Sequence, residues 1–455
     1  MTGGDTLDRV VVGAGLTGLS SAWRSVRAGA STRLFEASPR VGGVLRTEQR
    51  GPWRLEWAAA AFPSTAEKLL ELHGQLPDPP PIHRPDASAN VRYVWARSGL
   101  RALPESPPAF LASPLLSPGA KVRLFGDLLL KARRCRAPES LHAFVRRRFG
   151  LGVAESFLRP FTTGIYGTRP EDLGAADAFP LLTEWERAYG GVFRGMAGRA
   201  KAKRAAMPAG TAARAPRTQR EVWVFRDGME ALPKAIATAL GASVVSTSIP
   251  VSGVGPAADS IEVRTADGTC VRARELVLAT TAPEQARLVA ALSPEASALL
   301  AAVRYVPMIV ASAGLGPALA PRTPEGFGFL RSKGAPGRSL GAAFPSALDP
   351  AVAPPGHALW KFFLGGGSDP DALLLSDDDV RTVVEHDMSL VLKTRVALAF
   401  FAVTRWPRAI PVFSIGHRER MARAAALLAP HRIVLSGSHI TGVGVHACAG
   451  AGASA

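Results

Sequence analysis

Near the start of the chain the apolar positions gather in a short β-branched run, Arg9 to Val12, which predicts a buried strand. A helical stretch from Leu19 to Arg27 follows and stops at Gly29, and a second strand, Ser31 to Phe35, ends at Glu36. Strand patterns return far downstream. "VWVF" leads through a turn at Gly228 into a helix, "ASVVSTSIPVSGV" and "SIEVRTADGT" read as a hairpin, and "ELVLATTAP" is a buried strand ending at Thr280 and Thr281. A last strand, Arg432 to Leu435, runs into glycines at 437, 442 and 444. Residues 108–204 differ: their apolar positions have a helical period. No internal repeat is apparent, and no apolar run reaches the 18 residues of a membrane span.

Composition adds limits. A chain of 455 residues with 47% apolar and 20% charged positions predicts a globular protein of two or three domains. The 54 Lys and Arg against 37 Asp and Glu give a net charge of +17. That excess suits a polyanion, an anionic membrane surface or an acidic small molecule; an Arg-rich, Lys-poor usage can also be purely compositional. Three cysteines without C-x-x-C spacing predict a reducing compartment, and nine histidines without H-x-x-x-H pairing predict no metal site. Asp5 and Asp8 precede the first apolar run, unlike a signal peptide.

The basic residues are concentrated. Pro108 to Gly150 holds nine Lys and Arg against two acids, and 194–220 holds eight with no acid and reads as a mobile, low-complexity loop. Two readings stand for the helical segment. It is an ordinary subdomain with a solvated basic face, or a monotopic patch in which Phe110, Leu111, Leu115 and Leu116 enter an anionic membrane surface. Nucleic acid is not expected, because the arginines are not interleaved with aromatics.

The first turn carries specific chemistry. Gly13, Gly15 and Gly18 stand in G-x-G-x-x-G register between strand and helix, with Glu36 closing the next strand. Gly13 permits the tight turn, Gly15 admits a pyrophosphate to the backbone, and Gly18 lets helix pack on strand. The helix start offers free N–H groups to the phosphates, and the acid accepts from ribose hydroxyls. "ASPRVGGVLRT" then places Gly42 and Gly43 after Arg40, with Arg46 beyond. This resembles the RxGGRxxS/T segment of the flavin amine-oxidase superfamily, with Val44 where the family has Arg, and implies FAD rather than NAD.

Narrower stretches resemble the protoporphyrinogen oxidase family: "RPFTTGIYGTRPEDLGAADAFPLLTEWERAYG" (159–190), "FRDGMEALP" (225–233), "GFGFLRSK" (326–333), "LGAAFPSALDP" (340–350) and "TRWPRAIPVFSIGH" (404–417). The resemblance runs from about Arg9 to Cys448. It implies an α/β fold: an FAD-binding Rossmann-like domain assembled from the discontinuous segments 1–85, 221–295 and 400–455, a substrate-binding α+β domain (86–107 and 296–399), and a helical, basic, membrane-associating subdomain (108–220). It implies Val245, Thr280, Trp406, Gly437, Gly442 and Val443 as further cofactor contacts. Arg92 would pair with a substrate propionate through a guanidinium–carboxylate fork. Phe327, Leu330 and Phe344 would sandwich a pyrrole ring, and Gly164 would lie near the reacting carbon. Surface placement for Arg92 and plain core packing for the three apolar residues are the alternatives.

The family reaction is a six-electron oxidation of a porphyrinogen in three two-electron steps, each a hydride transfer to flavin N5, with dioxygen as oxidant and hydrogen peroxide as product. No Ser/His/Asp or Cys/His constellation stands in the sequence, so no side chain is expected as acid or base. The resemblance also implies a homodimer on the cytoplasmic face of a bacterial membrane. The alternatives are a coproporphyrinogen oxidase, an oxidase of amines or carotenoids, and an inactive flavin-binding relative. The last rests on Ala58, where the family has Gly after Glu56; a positive φ there would strain alanine. The closing "LSGSHITGVGVHACAGAG" departs at Ser438 and Thr441, and its final helix is expected to be short and weakly specified.

Overall fold

The computed structural model describes residues 6–104, 107–130, 137–205 and 221–451; Cys135, the stretch 206–220 and the last four residues lie outside them. In chain order the first elements are β1 (Leu7–Val12), α1 (Leu16–Arg27), β2 (Thr32–Phe35), β3 (Trp53–Glu56), β4 (Arg92–Ala96) and α2 (Arg159–Ile165). Then come β5 (Val245–Ser246), β6 (Val251–Ala257), β7 (Ser260–Thr265), β8 (Cys270–Leu278), β9 (Tyr305–Leu315), β10 (Gly328–Arg331), β11 (Gly341–Ala343), β12 (Ala358–Gly365) and β13 (Phe400–Pro411). The chain closes with α3 (His417–Leu428), β14 (Ile433–Leu435), α4 (Ser438–Thr441) and α5 (Val445–Ala449).

The first seven-stranded sheet has the order β5-β2-β1-β8-β7-β6, with β14 also pairing with β8. β1 runs parallel to β2 and β8, and Val10, Val11 and Val12 are buried, as a central parallel strand covered on both faces requires. The hairpin β6–β7 is antiparallel, as its alternation predicts. The expected strand at 222–225 forms but joins a small three-stranded sheet with 62–63 and 82–83.

The second seven-stranded sheet has the order β13-β9-β12-β11-β10-β4, with the strand Gly99–Ala102 beyond β4. β13, assigned from sequence to the nucleotide-binding part, is hydrogen-bonded to β9 along nine residue pairs and so belongs here. β12 alternates in a way that sets the site. Trp360, Phe362 and Leu364 enter one core, while Leu359 and the partly buried Phe363 meet Trp53, Leu55 and Trp57 of the nucleotide-binding part on the other face.

Residues 107–205 are largely helical, as expected. Arg148 and Asp127, both fully buried, pair at 2.5 Å at the centre of this unit, and Glu186 adds a contact at 3.3 Å. Two expectations change. The mobile loop at 194–220 begins as helix over Val192–Ala205; its Ala, Lys and Arg are good helix formers, and Gly190 in the left-handed region ends the helix before it. Of the expected apolar patch Leu116 is buried and Phe110 and Leu115 are partly buried, while more exposed apolar side chains of this unit include Val122, Phe125, Leu128, Leu129 and Leu151. Among the described residues no helix is long and apolar enough to cross a membrane.

Candidate functional site

Gly13 has φ +102° and turns the chain out of β1 against Ala279 and Thr280. Gly18 lies so close to the Gly13 carbonyl that a Cβ would collide with it. Around Gly15 a Cβ would meet nothing within 4 Å, so the start of α1 has open space before it, and no side chain caps this helix. The second glycine turn abuts the first: the Gly42 N–H donates to the Ala14 carbonyl at 2.7 Å, and Gly15 and Gly42 form a parallel bridge. The Arg40 guanidinium donates to the Gly43, Val41 and Leu45 carbonyls and pairs with Glu230 at 3.3 Å, so it braces this turn.

Glu36 accepts from the Ala14 N–H at 2.7 Å and the Ser38 N–H at 2.9 Å, one bond to each oxygen, leaving lone pairs for hydroxyl donors. Val245 lies beside it, on the strand paired with Leu34 and Phe35. The Thr280 hydroxyl is buried without a partner next to Gly13 and Gly437, whose added Cβ would stand 2.9 Å from the Thr280 carbonyl. An open helix N-terminus, two abutting glycine turns and an orphaned buried hydroxyl fit an extended dinucleotide with phosphates at α1. FAD would be held by these groups.

The C-terminal turn closes on this region. Gly442 and Val443 border a cavity of about 370 Å³ that also takes in Tyr166, Asp177, Phe413 and His417. His439 is buried beneath it. Gln285 gives its amide hydrogens to the Leu278, Thr280 and Ser436 carbonyls, so its oxygen accepts from His439 Nε2 at 3.0 Å, and burial pushes the imidazole pKa down to about 3. The final helix is short, as expected, but it is fixed: the Arg24 guanidinium donates to the Ala449 carbonyl at 2.6 Å and to that of Ala451.

The residues expected to face the substrate lie along the second sheet and on α2. Leu330 packs against Gly164 so closely that a Cβ there would collide with its side chain. Arg92 stands 5.4 Å from the centre of the Phe327 ring. Phe344 is placed elsewhere: it is fully buried on the opposite face, 4.4 Å from the Trp360 ring and apart from Leu330. The register Arg92–Gly328–Ala343–Lys361–Ser312 forms one cross-strand row, and directly paired residues share a face.

Ala58 is not among the non-glycine residues with positive φ, which among the described residues are Ser248, Lys393 and Arg432, so the expected strain is absent. The Trp406 indole N–H donates to the Trp57 carbonyl at 3.1 Å, and the Lys361 ammonium donates to that of Ala58. Glu56, one residue before Trp57, accepts from Thr47 and from the Met229 N–H, each at 2.9 Å. Burial pushes its carboxyl up to about 7 and pushes the Lys361 amine down to about 8. His142, Glu155 and Glu171 bring ligand-type atoms within 4.8 Å of one another, but Arg159 pairs with both carboxylates, which makes the group an ion-pair network.

Comparison with known proteins gives this geometry a context. The family description "Flavin containing amine oxidoreductase" matches residues 16–455. The chain belongs to that family. It is accordingly an FAD-dependent oxidoreductase with the α/β fold of flavin amine oxidases. Among relatives of this flavin oxidoreductase, protoporphyrinogen oxidase 1 of Spinacia oleracea chloroplasts is 29% identical over 97% of the chain and 82% of its own length. The coproporphyrinogen III oxidase of Bacillus subtilis is 24% identical over 98% of the chain and 96% of its own length. A solved structure from Exiguobacterium sp. 255-15, assigned to the protoporphyrinogen oxidases, superimposes with a TM-score of 0.78 at 20% identity, covering 99% of this chain and 98% of that one.

Two buried charged groups beside the Trp57–Ala58 backbone went unread in the sequence: Glu56 and Lys361. A signal existed for Lys361. It is the charged residue in "ALWKFFLG", an otherwise apolar strand in a chain that uses lysine sparingly. Glu56 had none, since an acid at a strand end reads as exposed.

Proposed function

We propose that this protein oxidises protoporphyrinogen IX to protoporphyrin IX, with dioxygen as oxidant and hydrogen peroxide as product, in haem biosynthesis. The observation that carries the reading is the near full-length likeness to protoporphyrinogen oxidases; it is supported by Leu330 packed against the α2 glycine Gly164 on a strand whose neighbour carries Arg92. When bound, FAD supplies the two-electron acceptor. The residues of this chain bind and orient. Arg92 anchors a propionate, Phe327 and Leu330 hold a pyrrole ring, and Gly164 lets the macrocycle lie close to α2. The glycine turns, Glu36, Val245, Thr280, Trp406, Gly437, Gly442 and Val443 hold the cofactor. The segments 1–85, 221–295 and the end of the chain serve FAD, and 86–107 with 296–399 serve the substrate.

A second reading is coproporphyrinogen III oxidation. It is favoured by the Bacillus subtilis relative and by a net charge of +17, which suits a substrate with four carboxylates. Supplying each porphyrinogen in air and following porphyrin fluorescence separates the two; faster turnover of coproporphyrinogen III replaces the first reading with the second.

We further propose peripheral attachment to the cytoplasmic face of an anionic membrane, as a homodimer. Support for attachment comes from Val122, Phe125 and Leu129, exposed beside Arg123 on the helical unit.

A further inference from the structure

The strap Trp57–Ala61 runs from β3 to the strand Phe62–Pro63 of the small three-stranded sheet and is held against the second sheet, and its backbone groups are sorted by direction. Two consecutive carbonyls are taken by the second sheet, Trp57 by Trp406 and Ala58 by Lys361. The Trp57 N–H donates to the Arg46 carbonyl at 3.0 Å. Among the described residues, the N–H groups of Ala58, Ala59, Ala60 and Ala61 donate to no protein atom, and all four alanines are only partly buried. Consecutive free N–H groups on a pinned backbone attract a ligand with acceptor atoms along one edge. A flavin ring, with its carbonyl oxygens and ring nitrogens, is such a ligand.

Lys361 is an unusual residue to find holding this strap. It is 1% exposed and lies in the cross-strand row that begins at Arg92, three strand spacings away, or about 14 Å. Its ammonium stands 5.4 Å from the centre of the Phe363 ring. The charged groups facing this region are Glu56 and Arg54 on β3, and Arg54 pairs with Asp349. Methionine or leucine would fill such a position without the cost of burying an amine.

We propose that Lys361 is a positioning residue for the cofactor: by holding the Ala58 carbonyl it turns the N–H groups of Ala58 to Ala61 toward the flavin, and the strength of that hold follows its own protonation. An ammonium donates a stronger hydrogen bond to a carbonyl than an amine does, so the hold weakens as pH rises through about 8. The inference rests on FAD being the ligand of this strap.

The test titrates apoprotein with FAD, by flavin fluorescence and visible absorbance, at about pH 7 and about pH 9. Lys361→Met should weaken FAD binding about tenfold at the lower pH and alter the bound-flavin spectrum. Lys361→Gln keeps an N–H donor that does not titrate. It should recover most of the affinity and lose the difference between the two pH values that the parent shows. Parent-like affinity and spectrum for Lys361→Met at both pH values overturn the inference. If that variant does not fold, a parent-like pH difference in Lys361→Gln overturns it instead. A parent that itself fails to bind FAD overturns the cofactor reading together with this one, so the two failures are told apart.

Discussion

A methyl group at Gly18 has no room, whereas one at Gly15 points into open space, although both belong to one motif. The two substitutions should therefore separate. Gly18→Ala should destabilise the protein by about 1–3 kcal/mol and lower FAD affinity, as overpacking does. Gly15→Ala should keep the parental Tm and lose affinity alone, because its backbone lies in the ordinary region with φ −65°. Melting curves of the apoproteins with FAD titrations check both; equal Tm losses would contradict the assigned roles. Glu56 and Lys361 give a pH signature. The Glu56 carboxyl is raised from 4.5 to about 7, so its contribution to stability is fully present below 4.5 and is lost as pH rises through 7. Lys361 is lowered from 10.5 to about 8, so its contribution is present above 10.5 and is lost as pH falls through 8. Glu56→Gln should flatten the fall in Tm between about pH 5 and about pH 7. An unchanged Tm profile would remove Glu56 from the titrating groups.

Elements with strong local signals were legible. The β1–α1–β2 unit, the β6–β7 hairpin and β8 all formed where periodicity put them, with α1 starting at Leu16 instead of Leu19. What the sequence could not convey was pairing at long range. The resemblance places the segment 400–411 in the nucleotide-binding part, but its partner β9 is some 95 residues away, and nothing local distinguishes one sheet from the other. Phe344 shows the same limit on a smaller scale. It follows β11 directly, and only the three-dimensional contacts show that its ring joins Trp360 in the core. At 194–205 a basic, low-complexity composition concealed good helix propensity. The helical unit also depends on a pair no pattern revealed. Removing the partner of a buried charge costs about 3–5 kcal/mol, so Asp127→Ala should leave Arg148 uncompensated and lower the urea midpoint sharply. A midpoint within error of the parent would show that water reaches Arg148.

At the scale of the whole molecule the parts are stitched around the site. Trp406 and Lys361 reach from the second sheet to the strap, and the Gly174 N–H of the helical unit donates to the Phe413 carbonyl at 2.8 Å. Asp177 then accepts from the Gly416 and Arg418 N–H groups at 3.0 and 2.8 Å, at the start of α3. The helical unit is thus tied to the wall of the cavity bordered by Gly442 and Val443, which its exposed Val122, Phe125, Leu128, Leu129 and Leu151 do not line. Val122→Asp with Leu129→Asp should reduce sedimentation with phosphatidylserine vesicles while turnover in detergent holds. Undiminished vesicle binding would place attachment elsewhere. Arg92→Ala should raise KM for the porphyrinogen and leave FAD binding unchanged; loss of flavin instead would move Arg92 to the cofactor. The central claim is porphyrinogen oxidation by bound flavin, and the direct test is the balance of oxygen and porphyrin with the FAD-loaded protein. The account predicts a yellow protein that consumes three dioxygen molecules for each protoporphyrin formed and releases three of hydrogen peroxide. A flavin-loaded protein that yields no porphyrin from either porphyrinogen would contradict it.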